Sequence, residues 1–139
     1  MIEKNYASIG SRFLALIVDN IILIPVSLLP YALSLFGLAQ GAPFFRLAGV
    51  LGHFFYGAFF YSQYGKTPGK MLLDIQVTNV DTGLKPSFLV GGFRDTLGRF
   101  LDMLTLGIGY LIAFFRADKR ALHDLLFNTI VIQELKKLP

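Results

Sequence analysis

No cysteine occurs among the 139 residues, which excludes disulfides, thiolate nucleophiles and cysteine-based metal sites. Charge is scarce as well: Asp, Glu, Lys and Arg make up 16% of the chain, against roughly 25% in an average soluble protein. There are only two histidines, His53 and His123. The His123-Asp124 pair therefore cannot be completed into a hydrolytic metal centre of the usual kind. Nor does any nucleophile stand beside a base, so the chain reads as a non-enzyme with no cofactor.

Apolar residues fill the space these absences leave. Hydrophobic residues make up 54% of the chain, 14 of them Phe, and the mean hydropathy is +0.58. The length suits a single domain, residues 1–139. The sequence pI is about 9.5, but the basic residues flank apolar segments and form no patch on a polar domain. They read as topology signals and not as a nucleic-acid surface.

The first apolar run, Phe13 to Leu38, exceeds the roughly 20 helical residues needed to cross a hydrocarbon core of about 30 Å. Pro25 and Pro30 are tolerated within a membrane, where neighbouring groups satisfy the freed carbonyls, and predict a kink and not an end. A cleaved leader fits poorly, because the run is too long, contains Asp19 and Asn20, and precedes a second apolar segment. That second span runs from Phe44 to about Tyr64, and its end is dense in aromatic residues that favour headgroup depth. The short, uncharged link AQGAP between the spans suits the far side of the membrane.

After Tyr64 the pattern changes. The stretch YGKTPGK predicts a turn, and Ile75 and Val77 alternate with Gln76 and Thr78 as in a half-buried strand. A second β-branched run covers Asn128 to Gln133. Two strands alone are marginal in water, so they are expected to pair and to pack on a helix or a neighbouring subunit. Between them, SFLVGGFRDTLGRFLDML and GIGYLIAFF predict a helical hairpin turning at Leu104 to Gly109. This arrangement keeps Arg116, Lys119, Arg120, Lys136 and Lys137 on the same side as Lys4, Lys66, Lys70 and Lys85. The expected architecture is an all-α membrane protein with about four membrane-embedded helices, two long spans plus the hairpin. A small cytoplasmic two-stranded β element and both termini lie on the cytoplasmic side.

Charged side chains inside spans are costly and normally face a bundle interior or a wet cavity. Arg12 and Asp19 lie seven residues apart and share one face of the first helix with Ser11 and Ala15. The spacing suggests either an ion-carrying site or a structural interhelical salt bridge. In the third segment Asp95, Arg99 and Asp102 form a second charged stripe able to face Asp19, beside Arg94 and flanked by Gly91, Gly92 and Gly98. An ordinary surface helix with i,i+4 pairs is the rival reading. His53, near the middle of the second span, is either a proton relay or a hydrogen-bonded packing residue. GKTPGK has the wrong spacing for a phosphate loop and lacks the following Ser or Thr. His123 and Asp124 are expected to anchor the short segment DKRALHDLL, with Asp118 as its N-cap.

The stretches GSRFLALIVDNII, YGKTPGKMLLDIQVTNVDTG, FRDTLGRFLDML and ADKRALHDLLFNTIVI, in that order, resemble the RDD family of prokaryotic membrane proteins, named for one arginine and two aspartates. The resemblance matches Arg12 to the arginine and Asp19 to the first aspartate. Asp102 and Asp124 both sit in family-like surroundings for the second, and the local pattern favours Asp124. Leu72 stands where the family often has arginine. The resemblance implies a bacterial inner-membrane protein, and some members are described as cation/proton antiporters. The functional expectation is a small homo-oligomeric transporter in membrane lipid, exchanging a proton for a monovalent cation at Asp19 with Arg12, Arg99 and Asp102 around it. A non-transporting scaffold or assembly module, its Arg and Asp residues purely structural, is the alternative.

Overall fold

The computed structural model describes residues 5–37, 42–105 and 107–134. Lys4, Gln40, Lys136 and Lys137, which entered the topology reading, lie outside the described residues. Helix α1 (Ile9–Leu35) begins where the Ser8 hydroxyl accepts from the Ser11 amide at 3.0 Å. It runs on through Pro25 and Pro30 without ending. Helix α2 (Ala42–Tyr64) follows, then the short α3 (Pro68–Leu72), strand β1 (Ile75–Asn79), α4 (Phe88–Leu104), α5 (Ile108–Phe115), α6 (Leu122–Leu126) and β2 (Thr129–Gln133).

Among the described residues, α1 is the one helix both long and apolar enough to cross a membrane by itself. Phe13, Ile17, Ile21, Ile24, Leu28 and Leu35 stand exposed along it, while Arg12, Ala15, Asp19 and Leu23 are buried. The helix is thus apolar outside and charged inside, the inverse of a soluble protein's surface. Helix α2 has sufficient length at 23 residues, but Arg46 and His53 lower its hydropathy. Helices α4 and α5 together have the length and hydropathy of a span, bent by 101° at the break between them as in a broken span or a re-entrant loop. The eight residues of α5 reach only about 12 Å.

The two strands pair antiparallel, with Val77 opposite Val131 and Ile75 opposite Gln133. A third edge escaped the sequence reading: Tyr6 bridges Ile132, and the Ala7 amide donates to the Val131 carbonyl at 3.1 Å. Strand β2 is therefore covered on both sides. The sheet packs on helices of its own chain, burying Ile75, Val77 and Val131 with Ala7, Ala15 of α1 and Tyr61 of α2.

The α4 glycines are used within the chain. A Cβ on Gly91 would come within 2.7 Å of the Tyr61 Cβ, and one on Gly57 within 2.5 Å of the Asp95 Cβ. Bare backbone at these positions lets α2 and α4 approach closely.

Candidate functional site

The charged residues converge where the platform of α3, α6 and the sheet meets the long helices. Two carboxylates organise the region, each receiving groups from distant parts of the chain.

Asp124, on α6, is fully buried. It accepts from Arg12 Nη1 of α1 at 2.7 Å and from Arg94 Nη2 of α4 at 2.5 Å. The Ala121 amide at 3.1 Å and the Thr129 hydroxyl at 3.3 Å complete its shell. Arg94 also donates to Thr129 Oγ1 at 3.0 Å and lies over the Tyr61 ring. A single carboxylate thus joins α1, α4, α6 and β2. Asp118, expected as the cap of this segment, pairs instead with Arg116 through two bonds of 2.8 Å. The helix start falls at Ala121, and Asp124 itself takes the free amide there.

Asp19 is buried without a cationic partner: among the described residues it makes no salt bridge. Of the two charged residues on this face of α1, Arg12 makes an interhelical salt bridge, to Asp124. Three neutral donors hold Asp19: Tyr56 Oη at 2.8 Å, Thr67 Oγ1 at 2.6 Å and the Gly69 amide at 2.8 Å. Thr67 and Gly69 belong to the TPG of YGKTPGK, where Pro68 opens α3 and leaves amides free. The Asp19 carboxylate serves that helix as an acceptor from across the structure. Glycine is required at 69, because a Cβ there would lie 2.2 Å from the Ala15 carbonyl oxygen. The sequence reading treated this segment as a turn and missed its function as a receptacle. The clue was a donor-rich Thr-Pro-Gly in a chain with an unpaired intramembrane aspartate.

The α4 stripe does face α1. Arg99 Nε pairs with Asp95 at 3.0 Å, and its Nη1 reaches Asn20 Oδ1. Asp102 differs from the other carboxylates: its Oδ1 is buried and has no partner among the described residues. Asp19, Asp95, Arg99 and Asp102 line a small polar pocket of about 30 Å³ with Arg12, Lys70, Arg94, Tyr110 and His123. His53 is not brought to it. That ring donates from Nδ1 to the Gly49 carbonyl of its own helix, 2.8 Å away. It lines a wide, mostly apolar groove of about 1000 Å³ between α1, α2 and α4.

All of the charged residues so assembled lie within 6–128, the segment that matches the model of the RDD family. The chain belongs to the RDD family. A membrane protein of Bacillus subtilis (strain 168), the uncharacterized YteJ, is 29% identical over 79 residues, covering 57% of this chain and 47% of that protein. The match thus spans about half the length of that relative. No solved structure matched. Within this RDD chain, Arg12 is bonded to Asp124 and not to Asp102, the other aspartate in family-like surroundings.

The platform side of the lock has a defined response to pH. Burial pushes the His123 imidazole down to about 3 against the pull of Asp124, so the ring is neutral and its 3.7 Å approach to Asp124 is not an ion pair. Burial alone would raise Asp124, but Arg94 and Arg12 hold it well below the usual carboxylate range. For His123 the unfolded chain takes up its proton first, near pH 6.5, and the folded state resists until about 3. Stability therefore falls with pH across that window by about 1.4 kcal/mol per unit. The Asp124 contribution has the same sign: it is present above the unfolded carboxylate pKa and lost as pH falls toward the depressed folded value. Thermal unfolding in detergent should show a midpoint that drops between pH 6.5 and 4, and His123→Gln should flatten the drop. An unchanged midpoint in the wild-type chain would contradict a buried neutral imidazole.

Proposed function

We propose that this RDD protein is a multi-pass membrane module whose Arg and Asp residues hold a cytoplasmic platform rigidly against its helices, and that the platform docks another protein. The observation behind this reading is the engagement of Asp19 and Asp124. Both are buried, both are saturated with hydrogen bonds, and both join the platform to the long helices. A carboxylate that exchanges a proton for a cation has to release its partners during each cycle. Here that release would detach α3 or α6.

The proposal includes four membrane-embedded segments in a bacterial inner membrane, with both termini cytoplasmic and association into a homo-oligomer. Lys66, Lys85, Lys119 and Arg120 at the platform end, against Arg46 at the other, support this orientation through the positive-inside bias. The absence of native cysteine makes it testable. Single cysteines at Pro43, Lys85 and Lys119 should react with an impermeant thiol reagent in intact cells only at 43. Labelling at 85 or 119 would reverse the platform.

Proton-coupled cation transport is the second reading, favoured by the partnerless Asp102 Oδ1 in the pocket. Two measurements separate the readings. Photo-crosslinkers at Thr82 and Leu84, both exposed on the platform loop, should capture a different protein in native membranes, whereas one at lipid-facing Leu35 should not. Proteoliposomes of wild-type protein should show no proton flux driven by Na⁺, K⁺ or Li⁺ between pH 6 and 9. Cation-driven flux abolished by Asp102→Asn, with no platform adduct, would replace the docking reading with transport.

A further inference from the structure

Hydrogen-bond capacity is left unused around the small polar pocket, and most of it is on the donor side. Arg12 is 3% exposed, yet beyond Nη1 its Nε and Nη2 find no partner among the described residues. Lys70 makes no hydrogen bond there either, and its ammonium lies 5.5 Å from the centre of the Tyr61 ring. Tyr110 also lines the pocket. Against these donors stand one unused carboxylate oxygen, Asp102 Oδ1, and the ring nitrogen His123 Nδ1. Leaving a buried charged donor unsatisfied is costly, so an occupant that accepts hydrogen bonds is favoured.

The charges already committed sharpen this. Arg94 and the Nη1 of Arg12 are matched by Asp124, and Arg99 by Asp95. Asp19 is satisfied by neutral donors. In formal charge Lys70 then stands against Asp19, and the surplus guanidinium of the Arg12–Arg94 pair against Asp102, so the cluster carries one cation in excess once Asp102 is neutral. At about 30 Å³ the pocket has room for one or two particles the size of water.

We propose that this pocket binds one small monovalent anion of halide size, held by the free nitrogens of Arg12, the Lys70 ammonium and the Tyr110 hydroxyl. Asp102 lines the same pocket and opposes the anion while ionised. The anion fills the core of the charged cluster where α1, α3, α4 and α5 meet, so its binding stabilises the fold. This holds whether or not the platform docks a partner.

The test uses the full chain in detergent, with thermal unfolding followed in sodium chloride or bromide and in sodium gluconate at matched ionic strength. Halide should raise the midpoint saturably. Asp102→Asn, which removes the opposing charge, should tighten the apparent halide affinity by about tenfold. Lys70→Met should weaken it by about as much, and Tyr110→Phe serves if that variant fails to fold. Crystals grown in bromide should show its anomalous signal between Arg12 and Lys70. Equal midpoints in halide and gluconate for both wild type and Asp102→Asn would overturn the proposal and leave ordered water as the occupant. A halide effect that neither substitution changes would overturn it too, because the anion would then bind elsewhere.

Discussion

Asp124→Asn should destabilise the protein by about 3 to 5 kcal/mol, the usual cost of breaking a buried ion pair by removing one partner. The substitution keeps shape and volume but leaves Arg12 and Arg94, 3% and 4% exposed, sharing a neutral amide. Two guanidiniums packed around one site would then repel each other without the charge that now separates them. The loss should be seen in denaturant unfolding in mild detergent, with loosening of α6 and β2 measured by hydrogen exchange. Adding Arg12→Met and Arg94→Met should recover much of the stability, since a buried charge cluster replaced as a whole by apolar side chains is often neutral or better. A single Asp124→Asn chain as stable as wild type would remove the central support for a charge lock.

Asp19→Asn should cost about 3 kcal/mol, combining one lost charge-assisted hydrogen bond with a buried donor left facing another donor. The carboxylate accepts from three groups and donates to none. An amide turns an NH₂ toward Tyr56, Thr67 or Gly69 whichever way it is oriented. The lesion is local, so α3 should separate from α1 while the Asp124 contacts persist. Protease sensitivity near Thr67 to Leu72, rising ahead of global unfolding, would show this. Intact protection of that segment in the Asn variant would mean that the carboxylate is not what holds α3.

Local pattern revealed a good deal of this protein. The seven-residue spacing of Arg12 and Asp19 put both on the buried face of α1, as found, and Ile75 and Val77 alternated into the core. The two β-branched runs paired. The α4 stripe of Asp95, Arg99 and Asp102 turned toward α1 and shares a pocket with Asp19. Each of these follows from periodicity, which fixes the face a side chain occupies once the element forms.

What periodicity leaves open is the group opposite that face. Arg12 and Asp19 share one face of one helix, yet Arg12 bonds a carboxylate 112 residues away and Asp19 takes three uncharged donors. The right-angle turn between α4 and α5, the use of the α4 glycines inside the chain and the third sheet edge at Tyr6 were equally hidden. Composition and hydropathy by themselves determined a helical membrane protein with costly charges in its interior, because the bilayer penalises them wherever they lie. Only the tertiary structure decided how those charges are compensated. Compensation depends on distances of a few ångströms between segments remote in sequence, and only packing of the whole chain sets such distances.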